Sequence, residues 1–166
     1  MGVENIEKQL AENQDTQKGK FLTFTLGKEF YGIEIMHVTE IVGIQPVTEV
    51  PELPEYIKGI INLRGKIIPI MDVRVKFKKT LLEYNERTCV IVIDTGELSI
   101  GLIVDKVSEV LSIPEKDIIP PLNINKSGKK YIKSIAKTGK NITLILDCEK
   151  LIDEEEVDSL SNLEKL

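Results

Sequence analysis

FLTFTLGKEFYGIEIMHVTEIVGI, residues Phe21 to Ile44, lies ungapped over VIVIDTGELSIGLIVDKVSEVLSI, residues Val90 to Ile113. Gly27 falls on Gly96, Gly32 on Gly101, Val38 on Val107, Glu40 on Glu109 and Ile44 on Ile113. Apolar positions match in kind, as in Leu22 with Ile91 and Ile41 with Val110. A second block follows: IKGIINLRGKIIPIMDV, Ile57 to Val73, lies over IKSIAKTGKNITLILDC, Ile132 to Cys148. There Ile57 aligns with Ile132, Ile60 with Ile135 and Asp72 with Asp147. A duplication of strand-patterned units of about 70 residues predicts a two-lobed β scaffold with a seam between the lobes. A strand exchanged between lobes would leave the same trace, so the repeat does not decide whether each lobe is one continuous half.

Within each copy the pattern is that of short strands. Phe21, Thr23 and Thr25 alternate with Leu22, Phe24 and Leu26, a period of two that marks a half-buried strand. Gly27-Lys28-Glu29 supplies a turn into a returning strand, and Met36 to Thr39 reads as a short helical turn. Pro46, Pro51 and Pro54 force an extended connection before a hairpin about Arg64-Gly65. Residues 1–19 read as a polar, mobile tail, with helical tendency near Ile6 to Glu12. Residues 20–79 make the first unit and 80–150 the second, with the polar stretch Phe77 to Glu86 as their link. In residues 151–166 the period changes: Leu151, Ile152, Val157, Leu160 and Leu163 predict a helical segment laying an apolar stripe on the barrels.

Composition narrows the function classes. The chain has 166 residues, 42% of them hydrophobic, enough for a substantial core. Its net charge of −5 opposes non-specific attraction to nucleic acid. The absence of Trp, with only 5% aromatics, removes base-stacking platforms as well. No secretory leader pattern opens the chain, and no apolar run nears the ~18 residues that span a bilayer. The expectation is a soluble, cytoplasmic protein without direct membrane insertion. Cys89 and Cys148 stand far apart in apolar runs and read as buried free thiols.

Chemistry is hard to find. His37 is the lone histidine, set in a turn with no nucleophile-elbow pattern near it, and reads as an exposed turn residue. No Cys/His cluster has metal-ligand spacing, and neither cysteine has a CxxC partner. Asp72 and Asp147 end equivalent strands. An acid/base pair is conceivable, but the repeat favours two copies of one turn cap. Arg64-Gly65-Lys66 lacks the glycine pattern of a P-loop. Lys126, Lys129, Lys130, Lys133, Lys137 and Lys140 form a basic stretch, read as a solvated loop and hairpin with an acidic docking surface as the alternative. The expectation is a binding scaffold with no catalytic residue, cofactor or metal.

YGIEIMHVTEI, PVTEVPELPEYIKGIINLRGKIIPIMDVRVKF and VIVIDTGELSIGLIVDKVSEVL resemble the CheW-type chemotaxis coupling family, with a likeness running from about Lys20 to Leu151. The combination of Gly59-Ile-Ile-Asn-Leu-Arg-Gly65 with Ile68-Pro-Ile-Met-Asp72 is the specific part. The same module occurs as the regulatory domain of the chemotaxis histidine kinase CheA; with no kinase, phosphotransfer or receiver pattern in these residues, the expectation is a free-standing adaptor. The resemblance implies a mainly β fold of two SH3-like five-stranded β-barrels packed together, with a C-terminal helix. It implies a non-enzymatic adaptor between chemoreceptor cytoplasmic tips and the regulatory domain of CheA. Carried onto this sequence, the kinase-facing residues are Val38, Glu40, Ile41, Gly59 and Arg64. The receptor-facing residues are Ile67, Cys89, Gly101, Val107 and Val110, and Ile124 makes a second lattice contact. Two readings compete: a nucleic-acid-binding double barrel using the lysine stretch, and a small hydrolase using His37.

Overall fold

The computed structural model describes residues 6, 10, 17–120 and 131–163. Eleven strands are assigned among them: β1 (Lys20–Leu26), β2 (Glu29–Glu34), β3 (Val38–Gly43), β4 (Ile57–Leu63), β5 (Lys66–Asp72), β6 (Cys89–Asp94), β7 (Ser99–Val104), β8 (Lys106–Ser112), β9 (Ile118–Ile119), β10 (Ile132–Thr138) and β11 (Asn141–Leu146). Helix α1 (Val73–Lys76) follows β5, and α2 (Glu154–Leu163) ends the described chain. The fold is mainly β, as two SH3-like barrel units, with a C-terminal helix.

One sheet has the order β8-β1-β2-β11-β10-β9, the other β3-β6-β7-β5-β4. Each sheet therefore takes strands from both halves of the chain. The sequence units 20–79 and 80–150 are not the two sheets; the exchange that the repeat left undecided is present. Replacing each strand by its repeat mate turns β8-β1-β2-β11-β10 into β3-β6-β7-β5-β4, so the exchange is reciprocal. The details repeat too. β1 and β8 slip register between Leu22 and Phe24, and β3 and β6 slip between Val38 and Glu40. Parallel pairing sets Gly32 opposite Ile145 in one sheet and Gly101 opposite Ile70 in the other.

Alternation along these strands feeds three cores. Leu22, Phe24, Ile91, Ile93, Ile100 and Leu102 point into one central core shared by both sheets. Ile61, Ile70, Val90 and Val92 fill the barrel of the second sheet, while Phe21, Ala136 and Ile145 fill that of the first. Leu151, Ile152 and Leu160 are buried in the central core, with Val157 and Leu163 packed against it, as the apolar stripe predicts. Tyr56 donates a hydrogen bond to Glu156, pinning α2 to the connection before β4.

The two aspartates are caps. Asp72 Oδ1 accepts from Arg74 N at 3.0 Å, and Asp147 Oδ1 accepts from Glu149 N at 3.1 Å. Ile6 is 2% exposed and sits in the central core, with Leu10 packed against it. Burying an isoleucine contributes about 1.5–3 kcal/mol. The link after β5 is also pinned. Arg74 Nη1 donates to Thr80 O at 2.7 Å, and Tyr84 Oη donates to Asp72 Oδ2 at 2.9 Å.

Candidate functional site

The β4–β5 hairpin turns on two residues, Arg64 and Gly65, closed by the Leu63–Lys66 pair. Both have positive φ, 52° and 87°. That is the type I′ requirement, which glycine and asparagine meet at little cost and arginine does not. Asn62 Oδ1 accepts from Gly65 N at 2.8 Å and steadies the turn. From here the Arg64 guanidinium donates to the Glu40 carboxylate. Glu40 lies on β3 and Arg64 follows β4, the two edge strands of the five-stranded sheet. The ion pair thus spans the open side of that barrel. Beside it is a cleft of about 360 Å³, lined by Thr39, Leu63, Lys66, Ile68, Val92, Asp94 and Ser99 together with the pair itself.

The other kinase-facing candidates occupy different ground. Val38 is 6% exposed and packs in the central core, and Ile41 is partly buried against that core. Gly59 is buried with φ of 148°, and a Cβ built there would overlap the Thr48 carbonyl oxygen. Its freedom from a side chain lets the 44–56 connection lie on β4, where Thr48 N donates to Ile60 O at 2.9 Å. Glu40 and Arg64 are therefore the candidates that meet solvent at the cleft; Val38 and Gly59 are interior and act through packing.

Among the receptor-facing candidates, Cys89 opens β6 and Val107 lies on β8, strands of different sheets. Both are partly buried against the central core, with Val110 buried beside them, so these three mark the seam between the sheets. Burial raises the Cys89 thiol pKa. Ile67 is half-buried on β5. Gly101 does not reach the surface; a Cβ there would meet Ile70 Cδ1 at 2.5 Å and Val90 Cγ1 at 2.7 Å. It is a packing residue of the barrel interior. Ile124 lies outside the described residues, as do Lys126, Lys129 and Lys130.

The repeat mate of the cleft lies in the first sheet, with a volume of about 370 Å³. It is lined by Thr23, Glu109, Lys137, Thr138, Gly139 and Asn141 among others. Gly139 stands where the second barrel has Arg64, so no such ion pair crosses its mouth.

Charge elsewhere serves the framework. Arg74 Nε donates to Asp105 Oδ1 at 2.7 Å, and Asp105 Oδ2 accepts from Gly27 N at 2.7 Å. The Arg74 hydrogen bond holds the Asp105 carboxyl below its usual range. Lys133 pairs with Glu34, which raises the lysine pKa, so this member of the basic stretch is occupied. His37 ends the turn Ile35–His37 and is half-buried. Among the described residues, no three His, Cys, Asp or Glu side chains are grouped to hold a metal ion. No described helix is long and apolar enough to cross a membrane.

Comparison with known proteins agrees with this architecture. The CheW-like domain profile matches residues 20–156. The chain belongs to the CheW-like family. It is 41% identical over 152 residues to the chemotaxis protein CheW of Klebsiella aerogenes, covering 91% of this chain and 92% of that one. Identity to the chemotaxis protein CheW of Treponema pallidum is 34%, over 87% of this chain and 88% of the relative. The crystal structure of the scaffolding protein TtCheW from Thermoanaerobacter tengcongensis superposes with a TM-score of 0.76 at 36% identity, covering 81% of this chain and 92% of that chain.

Sequence reasoning missed Lys66 and Ser99 in the cleft, and the Arg74–Asp105 pair. Lys66 adjoins the Arg64-Gly65 turn, so the sequence places it beside the candidate arginine. Ser99 and Asp105 meet their partners from 33 and 31 residues away, which no local pattern reports.

Proposed function

We propose that this protein is a non-enzymatic adaptor that couples chemoreceptor cytoplasmic tips to the regulatory domain of a CheA-type histidine kinase. It would work at receptor arrays on the inner face of the membrane, held there by protein contacts. The observation that carries the reading is the Glu40–Arg64 pair across the mouth of the second barrel. Arg64 has 70% of its side chain exposed and holds a left-handed backbone conformation that a glycine or asparagine would adopt more cheaply. A costly residue at an exposed turn is better explained by a partner than by the hairpin.

In this reading Glu40, Arg64 and the edge of Ile41 meet the kinase, with Val38 and Gly59 shaping the surface from beneath. Cys89, Val107 and Val110 mark a seam suited to an apolar helical hairpin, and Ile67 on β5 adds a half-buried apolar contact. Gly101 keeps the underlying strands close. Ile124 serves as a second contact within the lattice.

The test is a pull-down in which the full chain is offered the kinase regulatory domain, a receptor cytoplasmic fragment, or both. Binding to each, and a ternary complex with both, is expected. A folded chain that retains neither partner would sink the proposal.

A further inference from the structure

The second-barrel cleft holds two carboxylates, Glu40 and Asp94, and two cations, Arg64 and Lys66, yet only one ion pair forms among them. Arg64 is paired with Glu40. Asp94 turns its Oδ1 to Gly96 N, which donates to it at 2.8 Å. Lys66 has no carboxylate within ion-pair distance among the described residues. Its Nζ donates instead to Ser99 Oγ at 2.9 Å, and Ser99 is only 7% exposed. An exposed lysine normally sweeps a wide volume on its flexible stem. Here a neutral, nearly buried hydroxyl tethers the ammonium at the cleft wall without neutralising it.

The repeat shows that this cation is peculiar to one side of the molecule. In the mate cleft Asn141 stands where Lys66 stands, and Phe30 where Ser99 stands. The lysine, the serine that holds it and the adjoining arginine all belong to the cleft closed by Glu40.

Resting on the reading that this cleft docks the kinase regulatory domain, we propose that Lys66 is a specificity-determining contact that receives a carboxylate of the partner, with Ser99 as its positioning residue. An Asp or Glu side chain of the partner entering the cleft finds Glu40 already committed to Arg64 and Lys66 open to it. Preorganisation by Ser99 lowers the rotamer entropy lost on binding. An ammonium–carboxylate contact at an interface acts strongly on association rate and salt dependence.

Full-length chain and kinase regulatory domain are compared by binding measurements at low and high salt, using Lys66→Met, Lys66→Glu, Lys66→Arg, Ser99→Ala and Arg64→Ala. Lys66→Met should weaken binding about tenfold at low salt and flatten the salt dependence, with Lys66→Glu worse. Lys66→Arg should retain most of the affinity, and Ser99→Ala should cost less than Lys66→Met. Unchanged melting temperatures for the Lys66 variants separate lost contact from lost fold. If Arg64→Ala weakens binding while Lys66→Met and Lys66→Glu leave affinity and salt slope unchanged, the Lys66 assignment is overturned and the cleft stands. If neither Arg64 nor Lys66 variants matter, the cleft reading itself falls and takes the assignment with it.

Discussion

Gly101 lies opposite Ile70 across the parallel pair of β7 and β5, close enough that a Cβ would come within 2.5 Å of Ile70 Cδ1. Gly32 and Ile145 repeat the arrangement in the other sheet, at 2.9 Å. In both places a glycine admits an isoleucine from the opposite half of the chain. The contact is thus part of the strand exchange, not only of local packing.

Glycine substitutions should separate two kinds of crowding. At Gly101 the obstacles are the tips of Ile70 and Val90, which can shift, so Gly101→Ala should cost about 1–3 kcal/mol as overpacking. At Gly59 the obstacle is the Thr48 backbone, and φ is 148°, so Gly59→Ala should cost more and displace the 44–56 connection. Denaturant unfolding measures the order. A smaller loss at Gly59 than at Gly101 would contradict the packing described.

Reciprocal exchange predicts how the chain responds to being cut. Leu81 and Leu82 are 58% and 56% exposed on the link between α1 and β6. An engineered protease site between them should give two fragments that stay together as one particle and unfold in one transition. Separated under denaturant, neither fragment should regain native β structure alone, and mixing them should restore it. Two fragments that fold independently would refute the exchanged topology.

Much of this fold was legible because its signals are local. Period-two alternation marks Phe21 to Leu26, a short turn marks the Arg64-Gly65 hairpin, and equivalent strand ends mark Asp72 and Asp147 as caps. The exchange was not legible, since two copies of one strand pattern pair equally well within a half or across halves. Nor does likeness reveal which way a side chain points. Val38, Gly59 and Gly101 sit in the family's motif yet face the interior, while Glu40 and Arg64 face the cleft. Ile6 and Leu10 stand at helical spacing, but two apolar residues among polar neighbours are too short a stripe to announce burial.

The Arg74–Asp105 pair predicts an acid-sensitive contribution to stability. The carboxyl's folded pKa lies below its ordinary 3.8, so the contribution is full above that value and is lost as pH falls through the depressed folded pKa. Both side chains are largely shielded, at 11% and 26% exposure. Arg74→Met should therefore cost about 2–4 kcal/mol at neutral pH, since it also strands the Asp105 charge. The gap between Arg74→Met and the parent chain should narrow as pH falls below about 4. A gap independent of pH would mean that Arg74 acts through its stem and the Thr80 carbonyl alone.

The two thiols should react unequally. Cys148 is 2% exposed, and burial pushes its pKa up to about 12. The thiolate is the reactive form, so Cys148 should resist alkylation at neutral pH until the chain unfolds. Cys89 is partly exposed at the seam and should react slowly in the native state. If the seam docks the receptor, bound receptor fragment should protect Cys89 further. Equal labelling with and without that fragment would remove Cys89 from the proposed contact.

The Glu40–Arg64 pair lends itself to a double-mutant cycle read twice, in stability and in kinase binding. The partners are 28% and 70% exposed, so the pair should contribute at most about 1 kcal/mol to folding. Each single truncation should therefore change melting little. At an interface the same truncation leaves a charged group buried against the partner without its counter-charge, which costs about 2–5 kcal/mol. Glu40→Ala and Arg64→Ala should each weaken binding on that scale, while the double variant loses much less than their sum. Lys28→Ala supplies the control, because its turn lies away from the cleft and should alter neither quantity. Should Arg64→Ala instead lower the melting temperature strongly, with affinity falling only in proportion, the arginine serves to close the barrel. The kinase surface would then have to be sought at Ile124.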